Sequence, residues 1–481
     1  MAQTATAPHQ PNAPDAASAT GAIAAHVART RFEDLPPEAV RATKRRVIDL
    51  VGCAIGGAMA QANDALIEVL QRNGQVRQAT LLGQGGRLCA ADAAMVNAIT
   101  SRSFDFEVMT TVVAGQIIPS HTSPTTVMTA FAVAEREGRS GAEFLTALTL
   151  GDDIVARVIG AAGFDFGNGW DAASVHSGIG SASIAAKLMG LDAQGIADAM
   201  GMVVNLVGGT VQAAWDGSTD FKLPQGMAAR HGVLCAELAA AGWTGLEEAL
   251  LAPNGFYRQF TSGCKQPDTL TDGLGATYYA EEYFKPYPAC AATHSAIECA
   301  LALRGNPVFR LREATRIEVR LSPKLLSNFC IKPYEPRRFA HCDAIFSYRF
   351  QVANELLNGI TAQPHYAEDR LRDPALLDLT RRIDLAPLEI AGGWSGAGGR
   401  CLIVAEMADG SRIEQELTSL SRHPAVRAST DEEIAAKFLA QWKFGGRTDI
   451  SQGQAVIDAI TRLEELPSLV EFMEMIEKSI K

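Results

Sequence analysis

Two histidines and a lysine lie at predicted helix starts, where they could bind an anion and move protons. His121 stands shortly before Pro124, which opens a predicted helix, and Lys222 has the same relation to the start of a later helix. Thr293 is a predicted N-cap, with His294 in the first turn that follows. Helix N-termini carry free N–H groups and partial positive charge, which favour anions and lower the pKa of a nearby histidine. The sequence therefore predicts a site that binds a carboxylate and transfers protons.

Each candidate residue, taken singly, also has a simpler explanation. Asp171 precedes a predicted helix over 172–189 and is an expected N-cap, and Asp105 could merely end the helix predicted over 91–102. A single histidine near a helix start is more often a structural hydrogen-bonding group than a catalytic one. An isolated Lys222 is most often a solvated side chain. The hypothesis of a shared site therefore depends on these residues acting together.

The composition excludes several classes of function. The 481 residues include 43 Lys and Arg against 54 Asp and Glu, a net charge of −11 that argues against a nucleic-acid-binding protein, which needs clustered cations. No apolar run is long enough to span a membrane, and the nine scattered cysteines form no Cys-x-x-Cys pair, which is typical of a reduced compartment. Phosphate-binding loops, nucleophile elbows and zinc-like ligand spacings are absent from the sequence. We expect a cytoplasmic protein with no cofactor, no metal, and no nucleic-acid or membrane partner.

The elements that must position these residues are mainly helical. Residues 23–251 are rich in alanine and have helical periodicity, and several stretches are apolar nearly all round, which is typical of buried helices. Alternating stretches such as 316–321 and 401–407 predict a small antiparallel sheet. The fold class is therefore mainly α with an α+β second domain. The predicted divisions are a disordered tail over 1–20, a helical domain formed by 21–270 and 421–481, and an inserted α+β domain over 271–420.

A series of short motifs follows a defined order along the chain. They are Val47-Ile-Asp-Leu-Val-Gly-Cys-Ala-Ile-Gly-Gly57, Asn97-Ala, Phe104-Asp-Phe-Glu107, Pro119-Ser-His121, Ala228-Ala-Arg-His-Gly232, Lys285-Pro-Tyr-Pro-Ala-Cys290 with Thr293-His294, and Ala344-Ile-Phe-Ser347. In this order they resemble the MmgE/PrpD family, which includes 2-methylcitrate dehydratase, cis-aconitate decarboxylase and an iminodisuccinate epimerase. The resemblance covers residues 22 to 475. It implies a helical domain built from both chain ends, an inserted α+β domain, a homodimer, and an interdomain cleft without metal or nucleotide.

The resemblance also implies which residues form the active site, and where this chain departs from the family. Asp105, His121 and His294 match family active-site residues. The second acid of the family signature is Glu107 here, and its third position is Val108. Two further positions of this chain also differ from the family pattern. A family histidine is replaced by Asp171, with His176 five residues later, and the family lysine falls on Phe221, with Lys222 next to it.

The chemistry that the family shares is proton abstraction or carbanion formation beside a carboxylate, followed by loss of water, loss of CO2 or reprotonation. We assign His121 as general base and His294 as partner acid, with Lys222 clamping a carboxylate and Asp105 orienting a histidine or a substrate hydroxyl. The predicted substrate-binding residues are Asp171, His176, Thr293 and Cys290. The sequence thus predicts a cofactor-independent hydro-lyase on a small di- or tricarboxylate. The alternatives are an epimerase or decarboxylase on a similar acid, and a family member that binds a carboxylate without turning it over.

Overall fold

The computed structural model describes residues 18–74, 76–163, 169–388, 399–422 and 426–480. In these ranges the helices are α1 (Ala19–Arg29), α2 (Pro37–Gly57), α3 (Asn63–Asn73), α4 (Ala90–Arg102), α5 (Ser123–Glu137), α6 (Gly141–Ala162), α7 (Ala172–Leu188), α8 (Ala193–Val203), α9 (Gln212–Asp216), α10 (Leu223–Ala240), α11 (Phe256–Phe260), α12 (His294–Gly305), α13 (Ala340–Ile345), α14 (Tyr348–Asn358), α15 (Glu368–Leu371), α16 (Pro374–Arg381), α17 (Asp431–Phe444), α18 (Ile450–Thr461) and α19 (Leu469–Lys478). The strands are β1 (Ala79–Thr80), β2 (Arg87–Leu88), β3 (Met109–Val113), β4 (Gln116–Ile118), β5 (Glu281–Tyr283), β6 (Ala314–Leu321), β7 (Ile383–Pro387), β8 (Cys401–Met407) and β9 (Arg412–Leu417). The predicted fold class, mainly helical with a small α+β part, is confirmed.

One buried apolar core joins helices from both ends of the chain. It includes side chains of α1–α8 and α10 together with those of α17, α18 and α19. Phe131 of α5 lies 5.7 Å from the ring of Phe472 in α19, in a stacked pair. Gly52 of α2 allows α17 to approach closely, because a Cβ at this position would lie 3.1 Å from the ring of Phe438. The C-terminal helices therefore pack on the N-terminal ones.

A second core lies between the sheet β7-β6-β8-β9 and helices α12–α16. The sheet is mixed rather than antiparallel as the sequence predicts, because β7 pairs with β6 in parallel. The chain between these two strands contains α13–α16, and a crossover of this kind lets a strand return in the same direction. Phe104 and Phe106, from the loop after α4, also belong to this core. That loop thus lies where the two cores meet.

Three local predictions differ from the structure. The helix predicted over 245–251 is a series of turns, in which the Glu248 carboxylate accepts the backbone N–H groups of Leu250 and Leu251 at 2.9 and 3.0 Å. The helix predicted over 454–480 is two helices, because the stretch contains Pro467, which cannot continue a helix. Of the tail predicted over 1–20, residues 1–17 lie outside the described residues. Residues 19 and 20 are not part of a tail but belong to α1. There Thr20 is fully buried and donates a hydrogen bond to Glu248 at 2.8 Å.

The short sheet β4-β3-β5 is not predicted by the sequence, and it is the one that positions the site. Strand β3 pairs with β4 in a hairpin and with β5, more than 160 residues later in the chain, on its other side. Both pairings are antiparallel. Within the described ranges, no helix has the length and apolar character needed to cross a membrane.

Candidate active site

The sheet β4-β3-β5 gathers three charged or titratable side chains at one end. In the hairpin, Thr111 pairs with Ile118, so the residues before β3 lie opposite those after β4. Met109 pairs with Tyr283, so the residues before β3 also lie opposite those after β5. Continuing both registers beyond the last pairs places residue 107 opposite residues 122 and 285, and so next to residue 121. This topology explains why Glu107, His121 and Lys285 meet although they are distant in sequence.

Glu107 and His121 form a hydrogen-bonded dyad. Nδ1 of His121 lies 2.6 Å from Oε1 of Glu107, which is fully buried. Burial alone would raise the pKa of Glu107, but the charge of Arg102 and the hydrogen bond from His121 outweigh it and hold the pKa below its usual value. Glu107 is therefore an ionised acceptor, and Nδ1 carries the imidazole proton of neutral His121. Nε2 is left with its lone pair, as a general base requires.

Asp105 is held between two cations. Arg102, at the end of α4, donates through Nη1 to Asp105 and lies 3.1 Å from Oε1 of Glu107. Nζ of Lys285 lies 2.6 Å from Oδ1 of Asp105, and both side chains are buried. Burial opposes ionisation of Asp105, yet Arg102 and Lys285 together keep its pKa below the usual value. These groups form one buried network of carboxylates and cations beside His121.

The loop that carries Asp105 and Glu107 is fixed by residues from both chain ends. Asp105 has a backbone φ of 48°, a left-handed conformation that Asp tolerates better than most residues. Asp49 of α2 accepts the N–H of Val108 at 2.7 Å and forms a 2.7 Å ion pair with Lys437 of α17. Lys437 also donates to the carbonyl of Phe106 at 2.5 Å. The buried Asp49–Lys437 pair thus positions the acidic loop.

A small cavity of about 70 Å³ lies beside this network. Four of the predicted site residues contribute to its wall: Asp105, His121, Asp171 and Cys290. The remaining wall is formed by Arg102, Ser120, Ala173, Thr210, Val211, Ala214, Phe221, Phe329 and Phe346. The guanidinium of Arg102 lies 5.4 Å from the ring centroid of Phe221, in a cation–π contact. The cavity wall therefore combines charged and polar groups with aromatic rings.

His294 does not line this cavity, although it lies near it. Both of its ring nitrogens have partners: the Tyr283 hydroxyl at 2.7 Å from Nδ1 and the Ala289 carbonyl at 3.1 Å from Nε2. Burial lowers the pKa of His294 to about 3, so the ring is neutral, with Nε2 donating to Ala289 and Nδ1 accepting from Tyr283. Lys285 donates to the same Ala289 carbonyl at 3.3 Å. A role as partner acid would require His294 to break one of these bonds.

Lys222 also lies outside the cavity wall. Its Nζ donates to Asn63 Oδ1 at 2.7 Å and to Ser103 Oγ at 3.1 Å, and the side chain is buried. Burial lowers the pKa of Lys222 to about 8. Among the described residues, no carboxylate forms an ion pair with Lys222. The structure thus places the predicted clamp behind the loop at Ser103 rather than against a substrate.

The other two predicted substrate-binding residues are structural in their contacts. The Thr293 hydroxyl donates to the carbonyl of Cys290 at 2.8 Å. His176 is buried in α7, where its Nδ1 bonds the carbonyl of Ala172 and its ring lies 5.1 Å from that of Phe256. Burial lowers the pKa of His176 to about 4. Neither residue contributes to the cavity wall.

Carboxylates of the protein already occupy the start of α5, which is predicted to bind an anion, and the start of α7. The sequence predicts Ser123 as N-cap of α5, but the helix begins at Ser123, and Glu281 of β5 accepts the N–H groups of Thr122 and Ser123 at 2.8 and 3.0 Å. At α7, Asp171 accepts the N–H of Ala173 at 3.1 Å, as its predicted N-cap role requires. A substrate carboxylate would therefore need other donors than these helix starts.

Two family domains match this chain in order. The MmgE/PrpD N-terminal domain matches residues 21–268, and the MmgE/PrpD C-terminal domain matches residues 287–464. The chain belongs to the MmgE/PrpD family. It is similar to cis-aconitate decarboxylase of Aspergillus terreus, at 24% identity over 475 residues that cover 93% of this chain and 94% of that protein. It is also similar to cis-aconitate decarboxylase of Homo sapiens, at 24% identity over 382 residues that cover 76% of each protein.

One group of potential metal ligands occurs in the described part of this MmgE/PrpD protein. The donor atoms of Asp105, Glu107 and His121 lie within 4.8 Å of one another. Arg102 and Lys285 already contact the same carboxylates and supply the positive charge that an ion would provide. A divalent cation would have to displace or approach two buried cations, which Coulomb repulsion opposes. The residues therefore fit an ion-pair network better than a metal centre.

Sequence reasoning missed Arg102 and Lys285 as members of the site. Arg102 stands three residues before Asp105 at a helix end, a spacing that brings side chains together and could have indicated the pair. Lys285 lies in one of the family motifs, but its contact with Asp105 depends on the pairing of β3 with β5. Glu107 was recognised as a signature acid without a partner, and its partner is His121.

Proposed function

We propose that this protein is a lyase that acts on a small carboxylate substrate, and that the reaction is dehydration. The observation that carries the proposal is the Glu107–His121 dyad, whose His121 lines a small, partly apolar cavity. A carboxylate that orients an imidazole and stabilises its protonated form is the usual way to make a histidine an effective base. The family membership and the names of the similar proteins support lyase chemistry on carboxylates.

In this mechanism, Nε2 of His121 takes a proton from the carbon next to the substrate carboxylate. The electron pair forms a carbon–carbon double bond, and the hydroxyl on the next carbon leaves as water with the proton that His121 has taken up. Arg102 and Lys285, held by Asp105, provide positive charge near the carboxylate as negative charge develops on it. His294 is proposed to position Lys285, because both donate to the carbonyl of Ala289.

Decarboxylation is the second candidate, and the similarity to cis-aconitate decarboxylases favours it. There, loss of CO2 leaves a carbanion, and protonated His121 would donate a proton to the carbon. The same residues thus serve both reactions, and only the bond that breaks differs.

Proton NMR in deuterated buffer with malate, citrate, 2-methylcitrate and cis-aconitate separates the candidates. Dehydration gives a vinylic proton from malate or citrate, or changes the methyl doublet of 2-methylcitrate to a singlet, whereas decarboxylation releases CO2 and leaves deuterium on the former α carbon. Exchange at carbon without net loss would identify an epimerase. The His121→Gln variant is the control, since it should remove the activity while leaving the fold intact. If no acid in the panel reacts but some stabilise the protein against heat, the lyase proposal fails in favour of a binding protein.

A further inference from the structure

Three buried polar atoms around the cavity lack hydrogen-bond partners among the described residues. They are Nε of Arg102, Oε2 of Glu107 and Oε1 of Gln225. Buried polar groups are nearly always hydrogen-bonded in folded proteins, since an unsatisfied group loses its bonds to water without replacement. Arg102 itself lines the cavity and is 6% exposed. A buried guanidinium whose Nε has no hydrogen-bond partner indicates a ligand that supplies an acceptor to that nitrogen.

Asp171 contributes a hydrogen-bond acceptor to the wall of the same cavity, where Arg102 contributes a donor. Its Oδ1 accepts from the N–H of Ala173 and its Oδ2 from Nε2 of Gln225, each at 3.1 Å. The backbone N–H of Ser174 also hydrogen-bonds this carboxylate, and an ionised carboxylate has about four acceptor positions, so one remains. In the described chain no cation lies within ion-pair distance of Asp171, and burial raises its pKa against the influence of Arg102 and His121. Asp171 can therefore accept a hydrogen bond from a substrate, and burial, which already disfavours its charged form, makes a second carboxylate beside it unfavourable.

The charges around the cavity limit how many carboxylates it can hold. Arg102 and Lys285 are opposed by Asp105, Glu107 and Asp171, two cations against three carboxylates. Lys285 is already occupied by Asp105 and the Ala289 carbonyl. The cavity volume of about 70 Å³ is also small in comparison with pockets for drug-sized ligands, which measure roughly 300–1,000 Å³. Nη1 of Arg102 is likewise paired with Asp105 and Glu107, but its Nε has no hydrogen-bond partner among the described residues.

We propose that Arg102 binds one carboxylate of the substrate and that Asp171 accepts a hydrogen bond from its hydroxyl group. The substrate class is then a small 3-hydroxy acid held through a single carboxylate, rather than a tricarboxylate. This inference rests on the proposed function and narrows it. Asp171 is the specificity-determining residue, because an acceptor at this position favours a hydroxyl and disfavours a further negative charge. Arg102 sets the orientation that presents the α carbon to His121.

Binding measurements by calorimetry test this without requiring turnover. The probes are 3-hydroxybutyrate, malate and citrate, each beside its counterpart without the hydroxyl: butyrate, succinate and tricarballylate. The wild-type protein should bind malate at least about tenfold more tightly than succinate, since a buried acceptor discriminates against a ligand that leaves it unpaired. It should also bind citrate more weakly than malate, and malate more weakly than 3-hydroxybutyrate, because each further carboxylate adds a negative charge. Equal affinity for malate and succinate, or tighter binding of citrate, would overturn the inference.

Two substitutions of Asp171 preserve the helix cap, because Asn and Ser are equally good N-cap residues. Asp171→Ser shortens the side chain and should abolish the preference for malate over succinate. Asp171→Asn removes the charge and should improve citrate binding by at least about tenfold relative to malate. Arg102→Lys keeps a positive charge beside Asp105 but loses the planar edge, so it should weaken all the carboxylates together. Unchanged malate-to-citrate ratios in Asp171→Asn would contradict the role of Asp171.

The outcomes for the two proposals remain distinct. If the predicted affinities hold and none of the acids reacts by NMR, the lyase proposal fails while the assignment of Arg102 and Asp171 stands. If citrate or cis-aconitate is turned over as well as malate, the lyase proposal stands and the assignment fails.

Discussion

Oε1 of Glu107 lies 2.6 Å from Nδ1 of His121, so a fully buried carboxylate determines which nitrogen of the candidate base carries the proton. The two residues are brought together by the hairpin β3–β4, whose open end they occupy. Arg102 contacts the same carboxylate oxygen at 3.1 Å and keeps Glu107 ionised. The orientation of His121 is thus set by the sheet and by an ion pair, not by its position before a helix alone.

Replacing Glu107 with glutamine should slow catalysis without preventing substrate binding. The amide oxygen can still accept from Nδ1 of His121, so the tautomer persists, but the negative charge that stabilises the protonated imidazole is lost. We expect kcat to fall about 10- to 100-fold with little change in KM. Steady-state kinetics on the substrate identified by NMR provide the measurement. Glu137→Gln, an exposed glutamate at the end of α5, is the matched control and should behave as wild type.

His121 and His294 should differ in what their loss affects. His121→Gln removes the base and should lower kcat about 10²- to 10⁴-fold. His294→Gln disrupts bonds to Tyr283 and Ala289 in a fully buried site, so it should lower the free energy of unfolding by about 1–3 kcal/mol. Its kcat should stay within about tenfold of wild type, since only the position of Lys285 changes. Chemical unfolding and kinetics on both variants give the comparison. Loss of turnover in His294→Gln at unchanged stability would restore His294 as the partner acid.

The features of the structure that agree with the sequence analysis depend on local signals. Asp105, His121, Asp171 and Cys290 share one cavity wall, and Asp171 caps α7 as its position before the helix predicts. Helix bounds such as those of α2 and α4 follow from apolar periodicity within about a residue of the prediction. Helix bounds and caps depend on residues only a few positions apart, so apolar periodicity and N-cap residue types are enough to predict them.

The features that the sequence could not predict depend on contacts across the chain. Strands β4 and β5 have three residues each, too few for an alternating pattern to stand out, and the β3–β5 pairing joins distant segments. Without that pairing, nothing indicates that Lys285 reaches Asp105. Lys222 was expected in the cavity from its place before a helix, but its side-chain direction is set by Asn63 and Ser103, which no local pattern reveals.

Lys437 should affect activity although it is remote from the cavity. It pairs with Asp49 and donates to the carbonyl of Phe106, so it is a positioning residue for the loop of Asp105 and Glu107. Lys437→Met leaves Asp49 as an unpaired buried charge and should lower the free energy of unfolding by about 3–5 kcal/mol. Because the loop loses the hydrogen bond from Lys437 that holds the Phe106 carbonyl, kcat should fall while KM changes less.

Two further variants separate this effect from a general loss of stability. Lys437→Arg retains the charge and should recover most of the activity. Lys443→Met removes an exposed lysine from the same helix and should leave both stability and kcat unchanged. A Lys437→Met protein with wild-type kcat would show that the loop keeps its geometry without this ion pair.

Buried neutral histidines should make the fold sensitive to acid. Burial lowers the pKa of His176 to about 4, and of His294 and His341 to about 3, from an ordinary value of 6.5. Between pH 6.5 and 4 the unfolded chain takes up protons on these residues and the folded chain does not. Stability therefore falls as the pH falls through this window, by about 1.4 kcal/mol per pH unit for each histidine.

His341 offers the cleanest test of this linkage, because it lies outside the cavity wall and its ring bonds Gln61 at 3.0 Å. His341→Gln removes one titrating group, so the slope of unfolding free energy against pH between 6.5 and 4 should be smaller by about 1.4 kcal/mol per unit. Urea unfolding at pH 8, 6.5, 5.5 and 4.5, at constant protein concentration, measures both slopes. The variant should lose stability relative to wild type at pH 8, where the wild-type ring is neutral in both states, and the difference should narrow in acid. Parallel curves for the two proteins would mean that His341 takes up its proton without unfolding.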